Sequence, residues 1–548
     1  FRKSAGSGST VIGGNIGFVN TGAIDAQNGT IDFAGGSATF DAGTQFTGAG
    51  VVRISNNAAF VGTFDSANLR LDGGTFNGNN TTPAVLNGTV RWTGGAFAGT
   101  WQVASGQTLQ VLAGTNKDFI GTTFTNTGTV SWQTTERAGF VSSAVVNTGL
   151  WDVQADANLT YAGGNASSFT NSGTFRKSAG GGSTAIGGNI GFVNTGAIDA
   201  QSGTIDFAGG NATFNAGTRF TGGGVVRVSN NAAFVGAFDS ANLRLDAGAF
   251  TGNGAVLAAG NVVWNGGNFS GNWQVGAGQT LAALAGGDKN FVGVSFTNDG
   301  TVAWQTTNRI GFVSSTVVNA GLWDLQADAN LTYAGGNASS FTNSGTFRKS
   351  GGSGTSTVGA NVAFSNPGTV EVLSGTLQFT GAFVNPGTVR GTGTVAAAGV
   401  TNNGSVEPGV AAGAPPATFG IAGTFAQGAA GQLLIDVQSL ASHDLLQVSG
   451  AVSLGGTLGV QCSGACFFAV GDEIVVLDYT GTRSGTQFAA LTLAGFATGG
   501  FQAVYDDANT RVLLRVTEAT APIPEPGTWA MMVLGVLALG ASARQRRC

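Results

Sequence analysis

The chain has 548 residues, of which 94 are glycine and 9% are charged, with a net charge of −5 and 9% aromatic side chains. Disordered chains are charge-rich and poor in aromatics, so general disorder is excluded. The glycines lack the three-residue period of collagen, and an acidic chain offers no basic surface to nucleic acid.

Abundant Gly, Asn, Thr, Val and Phe, without runs of Glu, Lys or Leu, predict short strands joined by tight turns. The chain opens Phe1-Arg2-Lys3-Ser4, with neither a methionine nor a secretory signal peptide. Since export requires an N-terminal signal, further sequence is expected upstream. The opening tetrapeptide returns at Phe175-Arg176-Lys177-Ser178 and at Phe347-Arg348-Lys349-Ser350. Two long repeats, 1–174 and 175–346, therefore follow one another, and 347–403 begins a third that is cut short. Residues 157–178 recur unchanged as 329–350. The copies differ by two residues near Asn77-Gly-Asn-Asn-Thr-Thr-Pro83, turn chemistry that predicts a surface loop.

A shorter period runs inside the long one. Asn-x-Gly followed within two positions by an apolar residue occurs at Asn20, Asn126, Asn147, Asn171 and Asn194, and again at Asn298, Asn319, Asn343, Asn366, Asn385 and Asn402. Consecutive marks fall roughly 17–24 residues apart, the span of one solenoid coil. After each mark comes period-two alternation, as in Thr129-Val-Ser-Trp132, the signature of a strand with one buried face. The expected fold is all-β: a right-handed parallel β-helix whose coils bury their apolar side only by stacking. A β-propeller blade needs about 40–50 residues, which this spacing disfavours. Asn and Gly at one place per coil predict a corner where the backbone visits the left-handed region.

Residues 404–518 read differently. Val406-Glu-Pro-Gly409, Thr424-Phe-Ala-Gln-Gly428, His443-Asp-Leu-Leu-Gln-Val-Ser-Gly450, Leu454-Gly-Gly-Thr-Leu458 and Val470-Gly-Asp472 follow in order. This order is similar to the terminal module of autotransporter-type, adhesin-like β-helix proteins. The resemblance implies the last coils plus a β-rich cap closing the open strand edge, with 519–523 a linker. Cys462 and Cys466 would lie about 13 Å apart in straight strand, too far to bond, but Gly464 permits a turn. A disulfide is the first reading, with free thiols or a metal pair as alternatives.

No catalytic constellation stands out. His443 is the only histidine, which removes most metal and triad schemes, and it reads as a loop residue. Asp25, Asp32, Asp65 and Asp72 recur as Asp199, Asp206, Asp239 and Asp246. They are read as solvated strand-face groups rather than as a lyase or hydrolase site, so the chain is expected not to be an enzyme and to need no cofactor or metal. Tryptophans two positions from aliphatic residues, as in Trp151/Val153, share their face and are expected in the core rather than as sugar platforms. Each Arg-Lys pair is expected at a solvated corner.

Residues 524–548 form an address label. Pro524, Glu525, Pro526, Gly527 and Thr528 precede an apolar run, Trp529 to Ala543, and then Arg544, Arg546 and Arg547. Roughly 17–25 apolar residues span a bilayer, so this run is a marginal transmembrane helix. The arginines favour a cytoplasmic C-terminus. The segment resembles the PEP-CTERM sorting signal of Gram-negative bacteria. That resemblance implies export, transient anchoring in the inner membrane and processing near Pro-Glu-Pro by an exosortase; Cys548 would leave with the tail. It also implies work at the cell surface or in the extracellular matrix with exopolysaccharide in biofilm, as a structural or adhesive element. A carbohydrate-active β-helix enzyme and a self-assembling surface fibre without a specific ligand are the alternatives.

Overall fold

Alternation in sequence becomes alternation in burial. In Ala144–Asn147 the second and fourth residues are buried, and in Ser183–Ile186 the same positions are inside. The computed structural model describes residues 1–411, 413–464 and 466–522. Among these there is no helix, and every long element is a strand. The apolar run Trp529–Ala543, expected as a transmembrane helix, lies outside the described residues.

The chain forms two compact units, Phe1–Ala303 with Val313–Ser315, and Trp304–Phe312 with Thr316 onward. This division falls inside the second long repeat and not at a repeat boundary. Each unit is a parallel β-solenoid, of right-handed type, with three strands per coil. In the first unit, Ala144–Asn147, Leu150–Val153 and Leu159–Gly163 make one coil, and Ser167–Asn171, Thr174–Lys177 and Ser183–Ile186 make the next. Asn147 pairs with Asn171 and Asn171 with Asn194, while Trp151 pairs with Phe175 and Phe175 with Ile198. Side chains of one type therefore stack above one another, coil after coil. In the second unit Asn319 pairs with Asn343, and Trp323 with Phe347.

Aromatic columns fill the interior. Phe169 and Phe192 stack with ring centroids 5.2 Å apart and planes nearly parallel, as do Phe341 and Phe364 at 5.4 Å. Trp92, Trp101, Trp132, Trp151, Trp264, Trp273, Trp304 and Trp323 are all buried, as their parity predicts. Each large side chain removed from water stabilises by about 1.5–3 kcal/mol, and only stacking of neighbours removes it.

The Asn-x-Gly mark works differently from its sequence reading. None of Gly149, Gly173, Gly196, Gly368, Gly387 or Gly404 has a positive φ. Glycine is required there by close approach: a β-carbon on Gly173 would sit 2.2 Å from the carbonyl oxygen of Gly149 in the coil before it. From Asn126 onward the marked asparagines are fully buried and form a ladder, whereas Asn20 is half-buried. Asn126 Nδ2 donates to Asn147 Oδ1 at 2.7 Å, Asn147 to Asn171 at 2.6 Å, and Asn171 to Asn194 at 2.6 Å. The second amide hydrogen goes to a backbone carbonyl of the next coil, such as Thr174 O from Asn147. In the second unit a ladder runs Asn319, Asn343, Asn366, Asn385 and Asn402.

The two-residue difference between long repeats lies where a loop was expected. Residues 79–83 are almost wholly exposed, and Asn79 Oδ1 accepts from Thr81 and Thr82. In the second copy one strand, Ala249–Trp264, runs through this region.

The C-terminal end breaks the parallel rule. Coils continue through Gln432–Ser439, Thr457–Cys462 and Ala490–Ala494 in parallel register. Arg511–Pro522 then pairs antiparallel with both Glu473–Tyr479 and Phe496–Asp506. Residues 519–522, expected as linker, are the end of this strand. They are ordered because Thr520 is buried and its Oγ1 donates to Cys466 O and accepts from Phe468 N.

Replacing Asn171 by Ala orphans the Asn147 amide and the Asn194 carbonyl, each worth about 1–3 kcal/mol when buried. Asn171→Ala and Gly173→Ala are expected to lower the denaturation midpoint clearly. Gly181→Ala, where a β-carbon meets nothing within 4 Å, should leave it unchanged; chemical denaturation followed by circular dichroism checks all three.

Candidate functional site

A surface strand position carries whatever the coil above and below can pair with. On the solenoid faces, carboxylates and arginines of neighbouring coils meet as ion pairs. Arg53 lies between Asp32, at 3.6 Å, and Asp72, at 2.6 Å, and Arg70 holds Asp72 at 2.6 Å. The second long repeat rebuilds the cluster: Arg227 pairs with Asp206, and Arg244 holds Asp246 at 2.8 Å. Arg2–Asp25 and Arg176–Asp199 are equivalent pairs, both at 2.8 Å. In the second unit Glu371, 3% exposed on its side chain, sits between Arg348 and Arg390. Burial pushes the Asp72 carboxyl upward, but hydrogen bonds from Arg70 and Thr93 and the charges of Arg70 and Arg53 hold it below the ordinary carboxylate range. Asp65 accepts from Asn87 at 2.5 Å.

Two of the three Arg-Lys pairs are not solvated corners: Lys177 and Lys349 turn inward and are fully buried, whereas Arg2 is exposed and Lys3 half-buried. Lys177 Nζ reaches Asp156 at 2.7 Å and the carbonyls of Ala155 and Ala179; Lys349 reaches Asp328 at 2.7 Å. The long lysine stem fills the core while its ammonium meets corner carbonyls and one carboxylate. Hydrogen bonds from these lysines hold Asp156 and Asp328 below their usual range. Sequence gave no direct sign of this, because an Arg-Lys dipeptide at a strand end reads as solvated.

Lys117 and Lys289 are a second buried pair from the two long repeats. Lys117 has Glu136 at 2.6 Å. The second repeat carries Asn308 at the matching sequence position, and Lys289 bonds to the carbonyls of Asn265 and Gly287. Burial pushes the Lys289 ammonium down to about 8, partly offset by the charge of Asp288. A lysine with a lowered folded value gives up its proton in the folded state first. Stability should therefore rise with pH between about 8 and the ordinary value near 10.4. Lys289→Met is expected to remove that rise in pH-dependent denaturation curves.

The cap holds the strongest carboxyl perturbation. Asp444 is 2% exposed; its oxygens accept from the backbone N–H of Ala417 and of Asp436. Burial pushes Asp444 up to about 7 against those two hydrogen bonds, and also raises Asp436, which accepts from Gly413 N–H. The neighbouring His443 is half-buried on Ser442–His443, antiparallel to Val437. Cys462 and Cys466 are joined by a disulfide, with Cα atoms 5.9 Å apart. Among the described residues, no three His, Cys, Asp or Glu side chains converge as a metal site.

A groove of about 350 Å³ crosses the cap coils, lined by Thr394, Gln447, Ser449, Asp478, Tyr479 and Thr480 over Gly420 and Ala422. Its polar groups come from successive coils in register, Thr394 with Gly420, Gly420 with Gln447, and Gln447 with Asp478. Sequence reasoning missed it because its members are up to about 85 residues apart and only the coil register brings them together.

Fold and repeating surface together define a β-solenoid protein. Its sorting and membrane-stop residues, Pro524 to Thr528 and Arg544, Arg546 and Arg547, lie outside the described residues. Residues 522–547 match the PEP-CTERM protein-sorting motif. The chain is thus a β-solenoid carrying a PEP-CTERM sorting signal, which implies processing by an exosortase and membrane-anchored export in Gram-negative bacteria. No curated protein matches the chain.

The Asp444 proton has a consequence for the cap. The folded state keeps it up to about pH 7, whereas the unfolded chain releases it near 3.9. Its stabilisation is fully present below that lower value and is lost as pH rises through about 7. The midpoint of cap unfolding should fall across this window, and Asp444→Asn should flatten the fall.

Proposed function

We propose that this protein is an exported, exosortase-processed surface protein whose solenoid serves as a non-catalytic structural or adhesive element of the cell envelope. It makes many weak contacts with exopolysaccharide of a biofilm matrix. The observation that carries this reading is repetition: the same Arg–carboxylate surface is rebuilt in both long repeats. A surface copied along the chain suits multivalent contact, where weak sites gain avidity from being linked. An active site gains nothing from such copying.

Two further features support the reading over a carbohydrate-active enzyme. Of the duplicated carboxylates in the first repeat, Asp25, Asp32 and Asp72 are taken up by arginines at 2.6–3.6 Å and Asp65 by Asn87. The cap groove has Asp478 as its one carboxylate, whereas glycoside hydrolysis ordinarily uses two.

The test is a strain lacking this protein. Loss of cell aggregation and of matrix retention, restored by the full gene, is the expected result; normal aggregation and retention would remove the adhesive reading. Mass spectrometry of the mature protein should show the C-terminus near Pro524–Pro526, with the apolar tail gone.

A further inference from the structure

Four of the cap's exposed apolar side chains gather where the chain leaves for its sorting tail. Phe467 is 70% exposed, Val470 67%, Leu440 47% and Leu493 38%. Phe467 and Val470 stand on the loop that follows the disulfide. That loop is clamped to the final strand: Phe468 N donates to Thr520 Oγ1, Thr520 N to Phe468 O, and Gly471 N to Val516 O. Leu440 lies in the turn after Gln432–Ser439, whose Val437 and Gln438 carbonyls accept from Ser463 and Cys466. Leu493 pairs with Val460, and a β-carbon on the nearby Gly495 would meet Cys462 O at 2.8 Å. Phe496 pairs with Pro522, the last described residue. All four therefore surround the exit point.

The rim segments 438–442, 463–471, 493–500 and 519–522 contain no Asp, Glu, Lys or Arg; the flanking carboxylates are Asp472, which accepts from Ala469 N–H, and Glu473 and Glu518. Apolar side chains exposed together in this way mark a place of contact. The length of the remaining chain says with what. Between Thr520, fixed in the cap, and Trp529, where the apolar run begins, lie nine residue steps, which span at most about 30 Å when fully extended. While the tail is in the membrane, this rim is held against the bilayer surface at high effective concentration.

We infer that the apolar rim of the cap, led by Phe467 and Val470, dips into the lipid interface of the anchoring membrane and seats the folded cap on it. Exposed aromatic and aliphatic side chains partition favourably into the headgroup boundary. Seating fixes the Pro524-Glu525-Pro526 segment at the membrane surface, where a membrane-bound protease meets it. Lipid is favoured over a protein partner because it is present throughout anchoring and needs no matching socket for two side chains on a convex loop. The inference rests on the reading of 522–547 as a membrane-sorting tail.

The test uses the full chain reconstituted in nanodiscs of phosphatidylethanolamine and phosphatidylglycerol. A photoreactive benzoylphenylalanine replaces Phe467 or Val470 and, as control, the exposed Ile120 of the first unit. After illumination, mass spectrometry should find lipid adducts at 467 and 470 severalfold above those at 120. Discs that carry the chain but give no excess of lipid adducts at 467 and 470 would overturn the inference and leave the sorting reading intact. Adducts at these positions to a second copy, or in cells to a membrane protein in place of lipid, would also overturn it. Failure of the chain to associate with discs at all would remove both.

Discussion

Everything in the two units depends on coils lying directly above one another, and the asparagine ladder with its glycine neighbour is what fixes that stacking. A buried amide has two donors and an acceptor to satisfy, and inside a corner the matching group is the same amide one coil on. Asn147 thus serves Asn171 and Asn171 serves Asn194, at 2.6 Å each. A slip of one residue would carry each amide's partner to the other face of its strand and leave the ladder unpaired. Gly149 and Gly173 set the separation, since their backbones approach too closely for any β-carbon. Hydrophobic columns supply most of the stabilisation, but they tolerate a slip of two residues, which keeps their face inward; the polar ladder does not.

The same stacking explains how a chain with so few charges uses them. Inward lysines, such as Lys177 against Asp156, plug corners where carbonyls converge. Outward arginines bridge carboxylates on neighbouring coils, as Arg53 does between Asp32 and Asp72. Exposed ion pairs stabilise little individually; their regular spacing makes a surface that is polar, largely compensated and repeated. At the C-terminal end that surface gives way to an antiparallel hairpin, which covers the open strand edges that would otherwise template further stacking. The apolar rim then marks the side of the cap from which the sorting tail departs.

Local pattern made much of this legible. Alternation in Thr129–Trp132 announces a half-buried strand, the 17–24-residue spacing of Asn-x-Gly announces a coil, and parity places Trp151 beside Val153 in the core. The illegible parts are those that depend on what lies one coil away. Glycine in Asn-x-Gly looks like a left-handed turn, and only the carbonyl of the preceding coil shows that contact is the constraint. Lys177 beside Arg176 looks solvated, yet its ammonium is satisfied by a carboxylate 21 residues earlier. Asp436 and Asp444 face one another through a hairpin that no turn motif advertised, and residues 519–522 look like linker because the partner that orders Thr520 is 52 residues distant. The sorting signal was readable because its three parts are contiguous and need no fold.

In-register stacking of successive coils is the central claim, and engineered disulfides test it most directly. Val146 pairs with Thr170 on the outer side of adjacent coils, at a separation of about 4.8 Å that a disulfide can bridge. Ser168 on the same strand is displaced by two residues, beyond that reach. Oxidation of the Val146→Cys/Thr170→Cys chain should close an intramolecular bond seen by peptide mass spectrometry, while Val146→Cys/Ser168→Cys should stay reduced. Bonding of the 146–168 pair in place of 146–170, or of neither, would contradict the account.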